Sequence, residues 1–139
     1  TVSLRNPHAT RPWQHVLESL AGYLNLAEKL WSQPALAGAY NFGPPPGDAA
    51  TVREVVKLAQ AAYGEGQVSW GDGSEGPHEA GCLTLETAKA RAVLNIRACW
   101  SLAEAVQRSM NWYRRQIGGK DAGDLCDDDL DEYEASIRG

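Results

Sequence analysis

Residues 5–16 read RNPHATRPWQHV, placing Arg5, His8, Arg11 and His15 beside Asn6, two prolines and Trp13. The stretch is too polar for a core strand and too rich in ring side chains for an idle loop. Guanidinium groups suit one chemistry above others. Their planar fork donates two parallel hydrogen bonds to phosphate or carboxylate oxygens, which an ammonium group does less well. Two further clusters invite a metal. HEAGC at 78–82 mimics HExxH with Cys in the last place, but that motif needs a helix so that both ligands share one face. Pro77 before it, Gly81 inside it and a strand-like LTLE after it deny that helix. The run DDDLDE sets Asp127, Asp129 and Asp131 at alternate positions of a calcium loop. It then puts Glu132 where glycine is required and Arg138 where a bidentate acid is required. A solvated helix face is the expectation there, and no metal.

No GxGxxG, no GxxxxGK[ST] and no serine elbow occur, so neither a dinucleotide loop nor a triphosphate loop is visible. The three cysteines, Cys82, Cys99 and Cys126, are odd in number and lack CxxC spacing, which fits reduced thiols. The 139 residues suffice for one compact domain, and 43% hydrophobic with 22% charged residues is an ordinary globular composition. No apolar run is long enough to span a membrane and no signal peptide is visible, so a cytoplasmic location is expected. The net charge of −5 averages two unlike regions. Residues 121–139 carry eight acids against one base, whereas residues 1–120 carry ten acids and twelve bases. The bases are too scattered for nucleic acid, and a small anion gripped by a few arginines suits the body better.

Several elements must position these groups. TVSLRN reads as a short strand. Trp13, Val16, Leu17, Leu20, Leu24, Ala27 and Trp31 then follow a helical period and predict a long amphipathic helix with that stripe buried. AYNFG at 39–43, QVSW and CLTLE read as further short strands. Thr51 with Glu54, and Ser101 with Glu104, have capping-box spacing and open two more helices. A short helix is expected from Thr87 to about Leu94. Cys126, Leu130, Tyr133 and Ile137 predict that residues 121–139 form a terminal helix docked on a domain of residues 1–120. The fold class is mixed α/β (α+β), with four to five helices and three to four short strands, too few for a self-sufficient doubly wound sheet.

Arg11-Pro12-Trp13-Gln14-His15-Val16, with Tyr40-Asn41-Phe42-Gly43 downstream, resembles the R-D-[WY]-x-[HY]-V box and Y-N-[ILV]-G segment of extended short-chain dehydrogenase/reductases. These are the nucleotide-sugar epimerases and dehydratases. RNPHATRPWQHVLE, NFGP, PHEA before LTLETAKARAVL, WSLAEAVQRSMNWYR and DLCDDDLDEYEA, in that order, are similar to the CDP-glucose 4,6-dehydratase branch. The resemblance covers nearly the whole chain and implies the carboxy-terminal, substrate-binding portion without the Rossmann domain. It implies a CDP-sugar ligand, NAD as the cofactor of full-length relatives and none in this chain. The family's catalytic Tyr-x-x-x-Lys has no counterpart among Tyr23, Tyr40, Tyr63, Tyr113 and Tyr133. No dehydratase activity is therefore expected of the chain in isolation, and no catalytic residue is assigned.

The resemblance also carries roles residue by residue. Arg11 matches the arginine that grips the substrate pyrophosphate. The physics agrees, because a cation just ahead of a helix start opposes the helix dipole and has no capping use there. The helix starting near Trp13 would add its N–H groups. Arg5, Asn6 and His8 either line the nucleotide pocket or face solvent. Asn41 either sits near the phosphates or ties down the GPPPG turn. His78 and Glu79 match the branch's PHE, and Gly76 stands where many relatives have a second phosphate-binding arginine. Trp13 is expected in the core. NIRACW replaces a G-W-x-P-x-W-like linker. The competing expectation is an assembly module with a vestigial pocket, pairing through the edge of the YNFG strand or with a missing Rossmann domain.

Overall fold

The computed structural model describes residues 1–74 and 80–138. Its elements in chain order are β1 (Val2–Leu4), β2 (Thr10–Arg11), α1 (Val16–Ser32), β3 (Ala50–Thr51), α2 (Val52–Tyr63), β4 (Val68–Trp70), α3 (Ala88–Leu94), α4 (Leu102–Ile117) and α5 (Ala122–Arg138). Five helices accompany two sheets of two strands each, a mixed α/β architecture as expected. β1 runs parallel to β4, pairing Val2 with Val68 and Leu4 with Trp70. The ladder continues into the loops, where Gly71 N donates to Leu4 O (2.7 Å) and Gly73 N to Arg5 O (3.0 Å). A Cβ on Gly71 would stand 2.6 Å from Arg5 O, so only glycine permits this approach.

Local signals set the helix starts. Thr51 Oγ1 accepts from Glu54 N while the Glu54 carboxylate accepts from Thr51 N, and Ser101 with Glu104 repeats the arrangement. α2 and α4 form the most extensive helix pair. Trp13, Val55, Ala59, Leu102, Ala105 and Val106 line a cavity of about 180 Å³ at that interface, and Trp13 Nε1 donates to Ala50 O (3.0 Å). Trp13 is half-buried against that interface, and it lies before α1 and not within it.

Two expected strands are absent. Residues 39–43 form no strand; Tyr40 Oη instead donates back to Leu36 O (2.8 Å) and the segment lies along α1. Gly22 makes room for it, since a Cβ there would stand 2.5 Å from Phe42 Cδ1. Residues 82–86 contribute one bridge, Cys82 to Thr10. Thr10 N donates to Gly81 O and Leu83 N to Thr10 O, but the next donor in the ladder would be Pro12, which has no N–H. The ladder stops there for a chemical reason.

The helical stripes are also corrected. On α1 the buried residues are Glu18 and Gly22, whereas Val16, Leu20, Leu24 and Trp31 are exposed, Trp31 by 93%. On α5 Leu125 and Tyr133 are buried, while Cys126 and Ile137 are exposed. No described helix is long and apolar enough to cross a membrane.

Candidate functional site

Thr10 and Arg11 form the middle of a small three-segment assembly. Residues 10–11 pair antiparallel with Thr51 and Ala50 on one side and bridge to Cys82 on the other. The segment before them receives the start of α2: Val52 N donates to Ala9 O and Arg53 N to Pro7 O, both at 2.9 Å. Those bonds satisfy two of the N–H groups that a helix start leaves orphaned, and they bury Pro7 and Ala9. Within this frame Arg11 Nη1 donates to Thr10 O (2.8 Å) and Ala80 O (2.9 Å). Two fixed carbonyls therefore set the plane of the guanidinium, which is half-buried.

α1 begins at Val16, three residues later than the periodicity predicts. Its N-cap is His15, whose Nδ1 accepts from Leu17 N (3.4 Å). His15 is buried, and burial lowers its pKa below the ordinary imidazole value; Asp129 and Glu18 push the other way and Arg108 adds to the lowering. A neutral ring is what the cap requires, because a protonated Nδ1 cannot accept. Arg11 thus stands a full loop ahead of the helix, whose second N–H is already capped.

Arg5, Asn6 and His8 occupy the turn between β1 and β2. Arg5 and His8 are exposed, and Asn6 is half-buried with its side chain against Gly73. Asn41 is exposed, and its Nδ2 donates to Glu86 O (3.1 Å). It lines a cavity of about 620 Å³ between residues 41–45 and the α3 region, from which Arg11 is absent. The segments of Arg11 and Asn41 are joined next to these residues, where Gln14 Nε2 donates to Phe42 O (3.2 Å). His78 and Glu79, the first two residues of HEAGC, lie outside the described residues. Among the described residues no group of three His, Cys, Asp or Glu side chains converges.

Sequence reasoning missed two features. Arg91 and Arg97 line the cavity that Asn41 lines, brought to it by the turn at Asn95 (φ 55°), the one described non-glycine residue with positive φ. Asparagine tolerates that left-handed conformation, and it stands where the linker of the family the chain resembles has glycine; that correspondence was the available signal. The second is Glu18. Its Oε1 accepts from Cys99 N and Trp100 N and its Oε2 from Tyr133 Oη, all at 2.9 Å. Burial, then the Glu18 charge, drives the Tyr133 hydroxyl pKa far up, so it remains a donor. Trp100 packs edge-to-face on His15 and Tyr133, and Arg108 covers its ring at 4.0 Å. No sequence signal marks a helical glutamate as buried when its partners lie 81 to 115 residues away.

No protein-family model matches the chain. Over 122 residues, 86% of its length, the chain is 40% identical to a CDP-glucose 4,6-dehydratase of Salmonella typhimurium (strain LT2). It spans about a third of that protein, 34% of its length. The similarity suggested by the motifs thus extends over most of the chain.

Proposed function

We propose that this chain is the nucleotide-sugar-binding portion of a CDP-glucose 4,6-dehydratase-like protein, and that Arg11 holds the diphosphate of a CDP-sugar. The observation that carries this reading is the 40% identity over 86% of the chain. The geometry around Arg11 supports it. A guanidinium oriented by two backbone carbonyls, in a frame closed by β2, β3 and residues 80–83, loses little freedom when it takes up phosphate oxygens. Arg5, Asn6 and His8, on the turn leading to it, and His78 and Glu79 are the further candidates for the nucleotide. Asn41, whose Nδ2 donates to Glu86 O, lines the α3 cavity.

The residues of this chain do not fit NAD. Its described sheets have two strands each, and it contains neither a glycine-rich dinucleotide motif nor Tyr-x-x-x-Lys. Its part is to bind and orient the nucleotide end of the substrate, and hydride and proton transfer fall to residues it does not hold. Calorimetric titration of CDP, with UDP beside it, tests the reading. Binding in the millimolar range is expected, of order 4 kcal/mol, and should be lost in Arg11→Gln. Failure of both nucleotides at that concentration overturns it for the isolated chain. With CDP-glucose and NAD supplied, no loss of water from the sugar is expected by mass spectrometry.

A second reading, an assembly module, is favoured by α1. Residues 39–43 form no strand, so the edge-pairing argument falls, but Val16, Leu24 and Trp31 on α1 are 62%, 72% and 93% exposed. An apolar face of this kind marks an interaction surface. A clean monomer in light scattering at high concentration would count against self-association through it.

A further inference from the structure

We infer that the cavity between residues 41–45 and the α3 region is a second oxyanion site, in which Arg91 and Arg97 take the phosphate of a small organic phosphate. The inference stands apart from the role of Arg11, which is not in this cavity. At about 620 Å³ it has the size of a small-molecule pocket. Its α3 and linker walls carry the small side chains Ala88, Ala92 and Ala98, so the two guanidinium groups dominate its chemistry.

The charge is uncompensated. Among the described residues no carboxylate pairs with Arg91 or Arg97, and neither side chain makes a hydrogen bond. Glu86, the acid nearest to Arg91 in the sequence, has its carboxylate engaged elsewhere, accepting from Ala88 N at 2.6 Å. The walls are also braced. Lys89 Nζ donates to Ala39 O (2.9 Å) and packs on the Tyr40 ring, and Asn41 Nδ2 donates to Glu86 O, so two cross-links hold residues 39–41 against α3. A second observation points to a ligand: Thr87, which lines the cavity, is 2% exposed and its hydroxyl has no partner among the described residues. Buried hydroxyls are normally satisfied, and rotation of the Thr87 side chain toward an oxygen-rich guest against α3 would supply the missing partner. Two forked cations, an amide and a starved hydroxyl around one space are the recognition set for a phosphate group.

The test is a titration of the full chain with sodium pyrophosphate, followed by amide NMR, with CDP as a second arm and sodium chloride at matched ionic strength as control. Saturable shifts at residues 41–43 and 91–97 are expected with pyrophosphate. Arg91→Gln and Arg97→Gln should each weaken binding by about tenfold, in line with loss of a charge-assisted bond. Arg11→Gln should leave this site unchanged. If CDP displaces pyrophosphate there, the phosphate comes from a nucleotide; if it does not, a simpler phosphate ester is the guest. The inference is overturned if no saturable shift appears by about 10 mM, if chloride reproduces the shifts, or if Arg91→Gln and Arg97→Gln bind as the parent does. Loss of the shifts in Arg11→Gln would merge the two sites and overturn their separation. Failure of CDP to bind at Arg11 with pyrophosphate still held at Arg91 and Arg97 would sink only the reading proposed above.

Discussion

The cluster around Glu18 and the cavity around Arg91 and Arg97 treat charge in opposite ways. Glu18 is buried, and three donors from two distant segments converge on its carboxylate. Arg91 and Arg97 are exposed and unpaired among the described residues, on a wall braced by other side chains. A charge whose valences are all met by its own chain holds the fold, because removing it strands the donors. A charge left unmet on a rigid wall contributes nothing to folding and is available to a guest. The difference separates residues that build this domain from residues that serve it.

The sharpest way to break that comparison is Glu18→Ala. It would leave two buried N–H groups and the Tyr133 hydroxyl without an acceptor, and a loss of about 3–5 kcal/mol in chemical denaturation is expected. A loss below about 1 kcal/mol would show the cluster to be incidental. Next in size is Gly22→Ala. The added methyl group meets the Phe42 ring at 2.5 Å, so about 1–3 kcal/mol should be lost as residues 39–43 move off α1. Smallest on stability are Arg91→Gln and Arg97→Gln, each expected within about 0.5 kcal/mol of the parent. A larger loss would make those arginines structural and erase the contrast.

His15 sharpens the comparison through pH. Its folded pKa lies below the unfolded value of about 6.5. The unfolded chain therefore binds the proton more readily, and stability rises with pH across that window. The contribution of the neutral cap is fully present above about pH 6.5 and is lost as the pH falls below it toward the folded pKa. In His15→Asn, which can still cap α1, denaturation midpoints measured from pH 7.5 to 5 should lose that slope. The groups facing the ring, Asp129, Glu18 and Arg108, remain in the variant and so do not explain the difference.

What was legible in the sequence was local. Thr51 with Glu54 and Ser101 with Glu104 announced two helices because a capping box lies within four residues. The turn at Asn95 was legible only against the glycine of the linker it resembles. The stripe on α1 was read with the right period and the wrong side. Periodicity shows that a face is apolar, not that anything in this chain covers it. Residues 82–86 alternate like a strand, yet Pro12 ends their ladder after one bridge, and only the register reveals that. Arg11 was singled out as a candidate from its neighbours in sequence. The cavity of Arg91 and Arg97 depends on residues 41–45 folding back onto α3, a juxtaposition no spacing encodes.

The central claim is that this domain holds the diphosphate of a nucleotide through Arg11. Its most direct test is a calorimetric titration of CDP into the 139-residue chain and into Arg11→Gln, with circular dichroism confirming that both are folded. Saturable heat in the parent, reduced at least about tenfold in the variant, is the predicted result. Equal binding by both folded proteins, or none by the parent, would contradict it.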